Sequence, residues 1–448
     1  MAATDREIVE YLQKFSRLPP RKQRLLLVQD KSLDADIVLR ASWFQSFGFE
    51  SVSLRVPEDV FNKKIDEEPY HCVVLNSCLS SVVPKKGVEF NEKQLGSILD
   101  AALSLLAPEG ILLCCQDLRT CDEPFGAAEF TDFFDVYRTA STKEKTQDGF
   151  HFMGLHSLES SIYSSQNWKD FLWCLRKSEF PAVLDSEKIT ERHFLDQNQY
   201  VTSTIAAYEW IFGAGFISPG GAEKNMRFLE KLNLKRGQTM LDVGCGIGGN
   251  QFQAAKEFGV FSTGIDLSSN MVSIAYEKAN EIKDTRVAFV VGDMLEYDFP
   301  DCSFDVVYSR DCIQHIPHKW ELFERCYRCL KPGGRLLITS YMVGSGAFID
   351  EFTNYLNTFK YHFDPLSTFV EIIKGVGFID VRGEDITKEL RATIEDEIEK
   401  IKANREEFAE KFSEEETTTL LDGWASKLRF IDANNQVWGM VYAVKPST

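Results

Sequence analysis

The chain is expected to be an α/β protein built from two doubly wound, Rossmann-type sheets, the second of which keeps a ligand site. Three observations support this. Residues 239–249, TMLDVGCGIGG, read as an apolar strand running into a glycine-rich turn, then a helix over 250–258 and a second strand ending at Asp266. The same plan recurs in the first half of the chain. Strands and helices alternate in both halves, which is the pattern of parallel sheets.

In the first half, RLLLV at 24–28 is a strand, 37–47 has a helical pattern, and SVSLRV at 51–56 and CVVLN at 72–76 are further strands. LAPEG at 106–110 turns into ILLCC at 111–115, and it falls on LKPGG at 330–334 when the halves are set side by side. Phe47 and Gly48 likewise fall on Phe258 and Gly259. The halves differ where ligand groups would stand. After Val28 the chain reads QDKSLDAD, with no glycine. Arg55 takes the place of Asp266 and cannot accept a hydrogen bond. Ser77, Cys78 and Val82 stand where the second half has Arg310, Asp311 and His315. Residues 1–180 are therefore expected to form a degenerate, non-catalytic domain. Residues 181–195, in a stretch mixing proline and charge, link it to a second domain over 196–448.

The second half opens with residues 195–216, read as a helical lid. VAFVV at 287–291, FDVVY at 304–308 and the turn at 330–334 leading into strand 335–338 complete the parallel set. Residues 346–430 are too long for a simple crossover and are expected to be a largely helical insertion. Their charge-rich part, 386–416, reads by default as a solvated face. FIDVR at 378–382 and QVWGMVYAV at 436–444 are the closing strands, the last antiparallel.

Gly244, Gly246 and Gly248 let backbone approach a ligand, and Asp266, some 20 residues on, is placed to accept from a ribose diol. Asp293, after 287–291, stands where an adenine amine would be met. The ends of successive parallel strands converge at one edge of the sheet, where open α/β sheets bind ligands. The glycine order DVGCGIGG differs from the GxGxxG that seats a pyrophosphate, which speaks against a nicotinamide dehydrogenase.

Bulk properties narrow the partners. A net charge of −18 over 448 residues disfavours nucleic acid and anionic membrane surfaces, yet allows a small phosphorylated ligand in a locally positive pocket. Eleven scattered cysteines and no charged-then-apolar leader point to the cytosol. Cys326 and Cys329 form a CxxC in a helical stretch without a second pair, so no metal is expected. No apolar run reaches the roughly 20 residues of a membrane span. A monomer is expected.

Asp311 and His315, four apart after 304–308, are expected on one face of a starting helix. The carboxylate would orient a cation and the imidazole would accept a proton. Taken alone, His315 reads equally as a packed or capping histidine. Tyr200, Tyr208, Tyr341, Tyr355 and Tyr361, placed in the lid and insertion, offer hydroxyls for a phosphate and rings for a methylated ammonium. Each alone reads more readily as amphipathic packing. Lys427 would supply a positive charge for the phosphate.

DVGCGIGG resembles the first motif of class I methyltransferases, which use S-adenosylmethionine. Together with NQY at 198–200, YEWIFG at 208–213, FISPGG at 216–221, YSRDCIQH at 308–315 and DGW at 422–424, residues from about 195 onward resemble the phosphoethanolamine N-methyltransferases, or phosphobase methyltransferases. The pairing of a degenerate first half with an intact second half is similar to the second of the two nematode enzymes. That resemblance implies methylation of phosphomonomethylethanolamine and phosphodimethylethanolamine on the way to phosphocholine and phosphatidylcholine. A partner enzyme would carry out the first methylation. By position it implies Tyr200 and His315 as the catalytic pair, with the tyrosine closing the lid. It implies cofactor contacts at Tyr200, Ser218, Gly244, Asp266, Leu267, Asp293, Met294 and Arg310, to which Gly246 of the glycine turn is added. It implies phosphobase contacts at Gln199, Tyr208, Ile217, Asp311, Tyr341, Tyr355, Tyr361 and Lys427. Phe359 departs from the pattern: relatives that take the unmethylated amine carry arginine there. Methylation of phosphoethanolamine also or instead, another small acceptor such as a sterol, a quinone or glycine, and an inactive scaffold are the alternatives.

Overall fold

The computed structural model describes residues 8–13, 16, 18–29, 41–61, 68–79, 82, 91–117, 127–137, 146–157, 170–181 and 190–447. The chain divides into two compact units: residues 1–194 with 280–283 and 290–298, and the remainder.

In the first unit, β1 (Arg24–Gln29), β2 (Ser51–Arg55), β3 (Tyr70–Asn76) and β4 (Leu106–Asp117) form the parallel part of a sheet. β1 is central: Leu26 faces Ser53 on one side and Val73 on the other. Burial on both faces explains the unbroken apolar run LLLV rather than an alternating one. The sheet is not wholly parallel. β5 (Thr146–Ser157) and β6 (Asp170–Pro181) extend it past β4 as antiparallel strands. Pro181, the first residue of the expected linker, thus ends β6. Lys177 is tolerated there because its ammonium donates to the carbonyls of Leu103 (2.8 Å) and Leu106 (3.0 Å). Of the expected helix over 37–47, Ala41–Ser46 is helical. Residues 30–36, residues 37–40 and most of the expected linker (182–189) lie outside the described residues.

In the second unit the strand order is β12 (Ile379–Asp385), β13 (Gln436–Val444), β11 (Leu330–Val343), β10 (Phe304–Arg310), β7 (Thr239–Val243), β8 (Phe261–Asp266) and the first part of β9 (Val287–Val291), whose last two residues are assigned to the first unit. β7 lies in parallel register between β10 and β8, with Leu241 opposite Val307 and Thr263. β13 runs antiparallel to β11 and β12. This is the class I methyltransferase fold.

The region between β11 and β13 holds helices Asp350–Thr358, Leu366–Val376, Thr387–Ala403, Arg405–Phe412 and Glu414–Asp432, together with edge strand β12. The charge-rich 387–403 helix is more than a solvated face. Leu390, Ile394 and Ile401 recur on one side and are buried with Phe408, Trp424 and Trp438. Glu395, Asp396 and Glu399 lie exposed, the division expected of an amphipathic helix, while Glu397 is buried on the apolar side. Among the described residues no helix is long and apolar enough to cross a membrane.

Candidate active site

The glycine turn joins β7 to helix Gly249–Phe258. Gly244 has φ +74°, and a Cβ there would stand 2.1 Å from the Cys312 sulfur. Gly246 has φ +54°, and its Cβ would stand 3.0 Å from Ile217. The glycines are therefore required by the protein's own packing as well as by left-handed backbone. Their effect is to aim N–H groups at the end of β8. Gly246 N donates to Asp266 Oδ2 at 2.8 Å, and Ser268 N donates to Oδ1 at 2.9 Å. Each carboxylate oxygen retains a further acceptor site, as a ribose diol requires. Desolvation pushes the Asp266 carboxyl up to about 6, against the pull of those N–H groups.

Asp242, at the end of β7, was given no role by the sequence reading. Its Oδ2 accepts from Asn250 at 3.1 Å, while its Oδ1 is buried without a partner. Burial pushes this carboxyl up to about 8. A buried polar atom left unpaired is costly, so Oδ1 marks a place for a donor. The two carboxylates and the tight glycine turn fit a nucleoside with an amino-acid tail. Among the described residues no cluster is placed to hold a metal ion. Cys326 and Cys329 are both buried, and burial pushes the Cys326 thiol up.

Arg310 ends β10 with its guanidinium buried and turned onto the protein, donating to the carbonyls of Gly221 (2.8 Å), Ser218 and Pro219. It holds the 216–221 loop, on which Ile217 packs with Tyr200, Ile205, Ile247 and Met271. Leu267 follows Asp266, in front of helix Ser269–Ile282. Asp293 and Met294 belong to the other compact unit. Asp293 follows β9 and accepts from Leu295 N at 2.8 Å.

The spacing of Asp311 and His315 does not place them on one helical face. Asp311 has φ +52°, and only Ile313–His315 makes a 3₁₀ turn. The left-handed residue breaks the helical continuation and turns the carboxylate toward the sheet. There Oδ1 accepts from Thr339 (2.9 Å) and Trp438 Nε1 (2.6 Å). Oδ2 is buried without a hydrogen bond, 3.9 Å from Arg310 Nε. Desolvation raises the Asp311 carboxyl.

His315 is buried (9% exposed), and its Nε2 lies 3.0 Å from the Tyr200 hydroxyl. Burial, with nearby His362, lowers the imidazole to about 4, while burial raises the Tyr200 phenol well above its ordinary value. At neutral pH the pair is neutral, and the phenol donates when the other ring nitrogen carries the proton. The T-shaped ring of Tyr361 lies 4.9 Å from His315, and Gln199 Nε2 donates to the Tyr361 hydroxyl at 2.8 Å.

From Tyr361 the aromatic wall continues to Tyr355 (5.3 Å) and Phe363 (5.4 Å), and from Phe363 to Tyr341 (6.3 Å). Tyr341 belongs to β11 rather than to the lid or insertion, because that strand runs on to Val343. Lys427 points its ammonium over Tyr341 (5.9 Å) and Trp424 (4.5 Å), and Tyr208 packs on Trp424 at 5.8 Å. Burial lowers the Lys427 amine, and the carboxylates of Glu397 and Asp311 oppose that shift. Phe359 stacks on Tyr361 (5.6 Å) and contacts Tyr355. These contacts link Gln199, Tyr361, Tyr355, Tyr341, Lys427 and Tyr208, whereas Ile217 packs in the separate cluster with Tyr200. Thr339, Trp438 and Glu397 are supports that the sequence reading missed.

Residues 2–181 match the family described as phosphoethanolamine N-methyltransferase 2 N-terminal, and residues 241–338 match the methyltransferase domain. Over 375 residues the chain is 40% identical to phosphoethanolamine N-methyltransferase 2 of Caenorhabditis elegans, a match covering 84% of each. It is 34% identical over 259 residues to the Plasmodium falciparum phosphoethanolamine N-methyltransferase, covering 57% of this chain and 97% of that one. The solved structure of Haemonchus contortus phosphoethanolamine N-methyltransferase 2, with phosphomonomethylethanolamine and S-adenosylhomocysteine, superposes with a TM-score of 0.88 at 36% identity. That superposition covers 100% of this chain and 99% of the other. With a relative this similar over so much of its length, the chain belongs to the phosphoethanolamine N-methyltransferase family.

Proposed function

We propose that this protein is an S-adenosylmethionine-dependent N-methyltransferase that converts phosphomonomethylethanolamine to phosphodimethylethanolamine and then to phosphocholine. The observation that carries this reading is a pair of opposite charges beside one aromatic wall. Asp311 Oδ2 is buried without a hydrogen bond, and Lys427 holds its ammonium over two rings with no hydrogen-bond acceptor among the described residues. A small zwitterion satisfies both: its amine faces the carboxylate and its phosphate faces the lysine and the tyrosine hydroxyls. The Haemonchus relative was solved with such a ligand, and also with S-adenosyl-L-methionine.

Asp266 and Asp242 would hold the cofactor, with Gly244 and Gly246 shaping its seat. Bound there, S-adenosylmethionine supplies an electrophilic methyl group on a positively charged sulfur. The protein's own contribution is to align, to desolvate and to take a proton. Gln199 and Tyr200 close onto Tyr361 and His315, which excludes water and fixes the acceptor nitrogen. His315 is neutral and able to accept a proton. At about 4, however, it lies some six units below an ordinary alkylammonium, a mismatch of about 8 kcal/mol. Burying the ammonium beside the aromatic wall lowers its value, and the incoming phosphate raises that of the imidazole. Both effects narrow the gap.

Phe359 offers aromatic surface where a cation would strengthen phosphate binding, which favours substrates carrying methyl groups on nitrogen. The first unit, with Arg55 in the place of Asp266, serves as a non-catalytic scaffold. The test is to incubate the protein with methyl-labelled cofactor and each of the three phosphobases. Label is expected in products of phosphomonomethylethanolamine and phosphodimethylethanolamine. Equal labelling of phosphoethanolamine would overturn the selectivity, and no labelling of any would overturn the function.

A further inference from the structure

Lys319 is the first residue of helix Lys319–Cys329, immediately after the turn that carries His315. Its side chain is 2% exposed, an unusual place for an ammonium. Three acceptors surround it: Ile316 O at 3.1 Å, His362 O at 2.6 Å and Asp364 Oδ2 at 2.9 Å. All three N–H groups are therefore used, and the ring of Phe369 lies 5.7 Å away. Burial lowers the amine, and Asp364 opposes that shift.

These acceptors lie on two segments far apart in sequence. Ile316 ends the turn bearing His315, while His362 and Asp364 flank Phe363 just after Tyr361. A second link joins the same segments, His362 N donating to Gln314 O at 2.7 Å. Gln314 is in turn fixed by Ser340 Oγ at 3.1 Å. The His315 and Tyr361 rings therefore face each other across a gap set by one backbone hydrogen bond and one ammonium.

Consecutive residues, Gln199 and Tyr200, must bond Tyr361 and His315 at the same time. With the spacing of adjacent side chains fixed by the backbone, both bonds form only if the two targets are already correctly separated. We propose that Lys319 is a positioning residue that sets the His315–Tyr361 separation, so that Gln199 and Tyr200 can close on both together. This rests on the proposed methyltransferase reading of the same site. Lys319 touches neither ligand. Its loss leaves the charged pocket intact and removes the alignment.

The experiment compares Lys319→Met, Lys319→Arg and Lys319→Ala with the unaltered protein. Methylation of phosphomonomethylethanolamine and S-adenosylhomocysteine affinity are both measured. Activity of the unaltered protein is established first, so failure of the functional reading is seen separately. For Lys319→Met, kcat is expected to fall on the order of 10²-fold, the effect of a misplacement near 1 Å, with cofactor affinity unchanged. Lys319→Arg should recover part of the loss. Propylammonium, which replaces the deleted side chain of Lys319→Ala, should restore kcat in a saturable way. A Lys319→Met protein with unchanged kcat overturns the proposal. If that variant does not fold, Lys319→Ala assembled and assayed in propylammonium decides. Rescue of folding without rescue of kcat also overturns the proposal, because it assigns Lys319 to stability alone.

Discussion

Replacing His315 by glutamine should make the protein less sensitive to acid, by an amount that follows from the burial of the ring. The folded imidazole titrates near 4, against an ordinary 6.5. Between those values the unfolded chain binds a proton that the folded chain refuses. Stability therefore falls as pH drops from 6.5 towards 4, and this group contributes no slope outside that window. The full shift corresponds to about 3 kcal/mol, and at pH 5.0 the linkage relation gives about 2 kcal/mol of that loss. Asp266, Asp242 and Asp311 titrate in both proteins, so they cancel in the comparison. Glutamine keeps an oxygen to accept from Tyr200 and carries no titrating group. Urea unfolding at pH 7.5 and pH 5.0, followed by tryptophan fluorescence, is the assay. The unaltered protein should lose about 2 kcal/mol more than His315→Gln between these conditions. Equal losses would mean that the ring is not desolvated as described and would remove the account of its neutral state. The same shift places the acid limb of activity below pH 6.5, so substantial turnover at pH 5.5 is expected.

Three further outcomes are expected. Tyr200→Phe deletes the 3.0 Å bond to His315, and kcat should fall by about 2- to 12-fold, the range of a neutral hydrogen bond, in steady-state assays. Asp266→Asn sets an amide N–H against either Gly246 N or Ser268 N and removes the charge from the diol acceptor. Its S-adenosylhomocysteine affinity should weaken by roughly 10²-fold by calorimetry, with phosphobase affinity at saturating cofactor retained. Lys427→Met should raise the phosphobase KM by about 10- to 100-fold and leave cofactor affinity unchanged. Because burial lowers the Lys427 amine, phosphobase binding should weaken on the alkaline side at a lower pH than an exposed lysine would give.

What could be seen in the sequence was what is local in it. A strand, a glycine turn and a helix within a few residues define the cofactor edge, and Asp266 follows at the distance one strand–helix–strand unit requires. The aromatic residues and Lys427 could be named but not placed. Helical spacing put Asp311 and His315 on one face, whereas the positive φ of Asp311 sends its carboxylate to Trp438, 127 residues away. Glu397 falls in the 386–416 run read as a solvated face, and nothing in the sequence singles out Lys319. Only the fold shows that Lys319 joins two segments of the site, and that Glu397 accepts from Gly220 N and Trp424 Nε1. β5 escaped notice because its polar and glycine positions dilute the alternation on which a strand reading depends, whereas β6 has an apolar run at Phe171–Leu175 that carried a strand signal.

The two ends of the closing segment are held with unequal strength, and the inequality sets the order of events. Asp196 is buried and accepts from the hydroxyls of Ser268 and Ser269 and from Ser269 N at 3.1 Å. It lies at the N-terminus of helix Ser269–Ile282, where the helix dipole favours a carboxylate. Asn270 Nδ2 adds bonds to the carbonyls of Asp196 and Tyr200, each 3.0 Å. Bonds to a charged acceptor contribute about 1.5–3 kcal/mol each, whereas the neutral bonds of Gln199 and Tyr200 to Tyr361 and His315 contribute about 0.5–1.5. The side-chain contacts therefore part first while the backbone of 196–200 stays on the helix. That helix begins three residues after Asp266, whose carboxylate holds Ser268 N. On the proposed reading, cofactor seated at Asp266 would firm the anchor of the segment that carries Gln199 and Tyr200. The order expected from this arrangement is cofactor first and acceptor second; product-inhibition patterns in steady-state kinetics check it, and a random order would refute the reasoning.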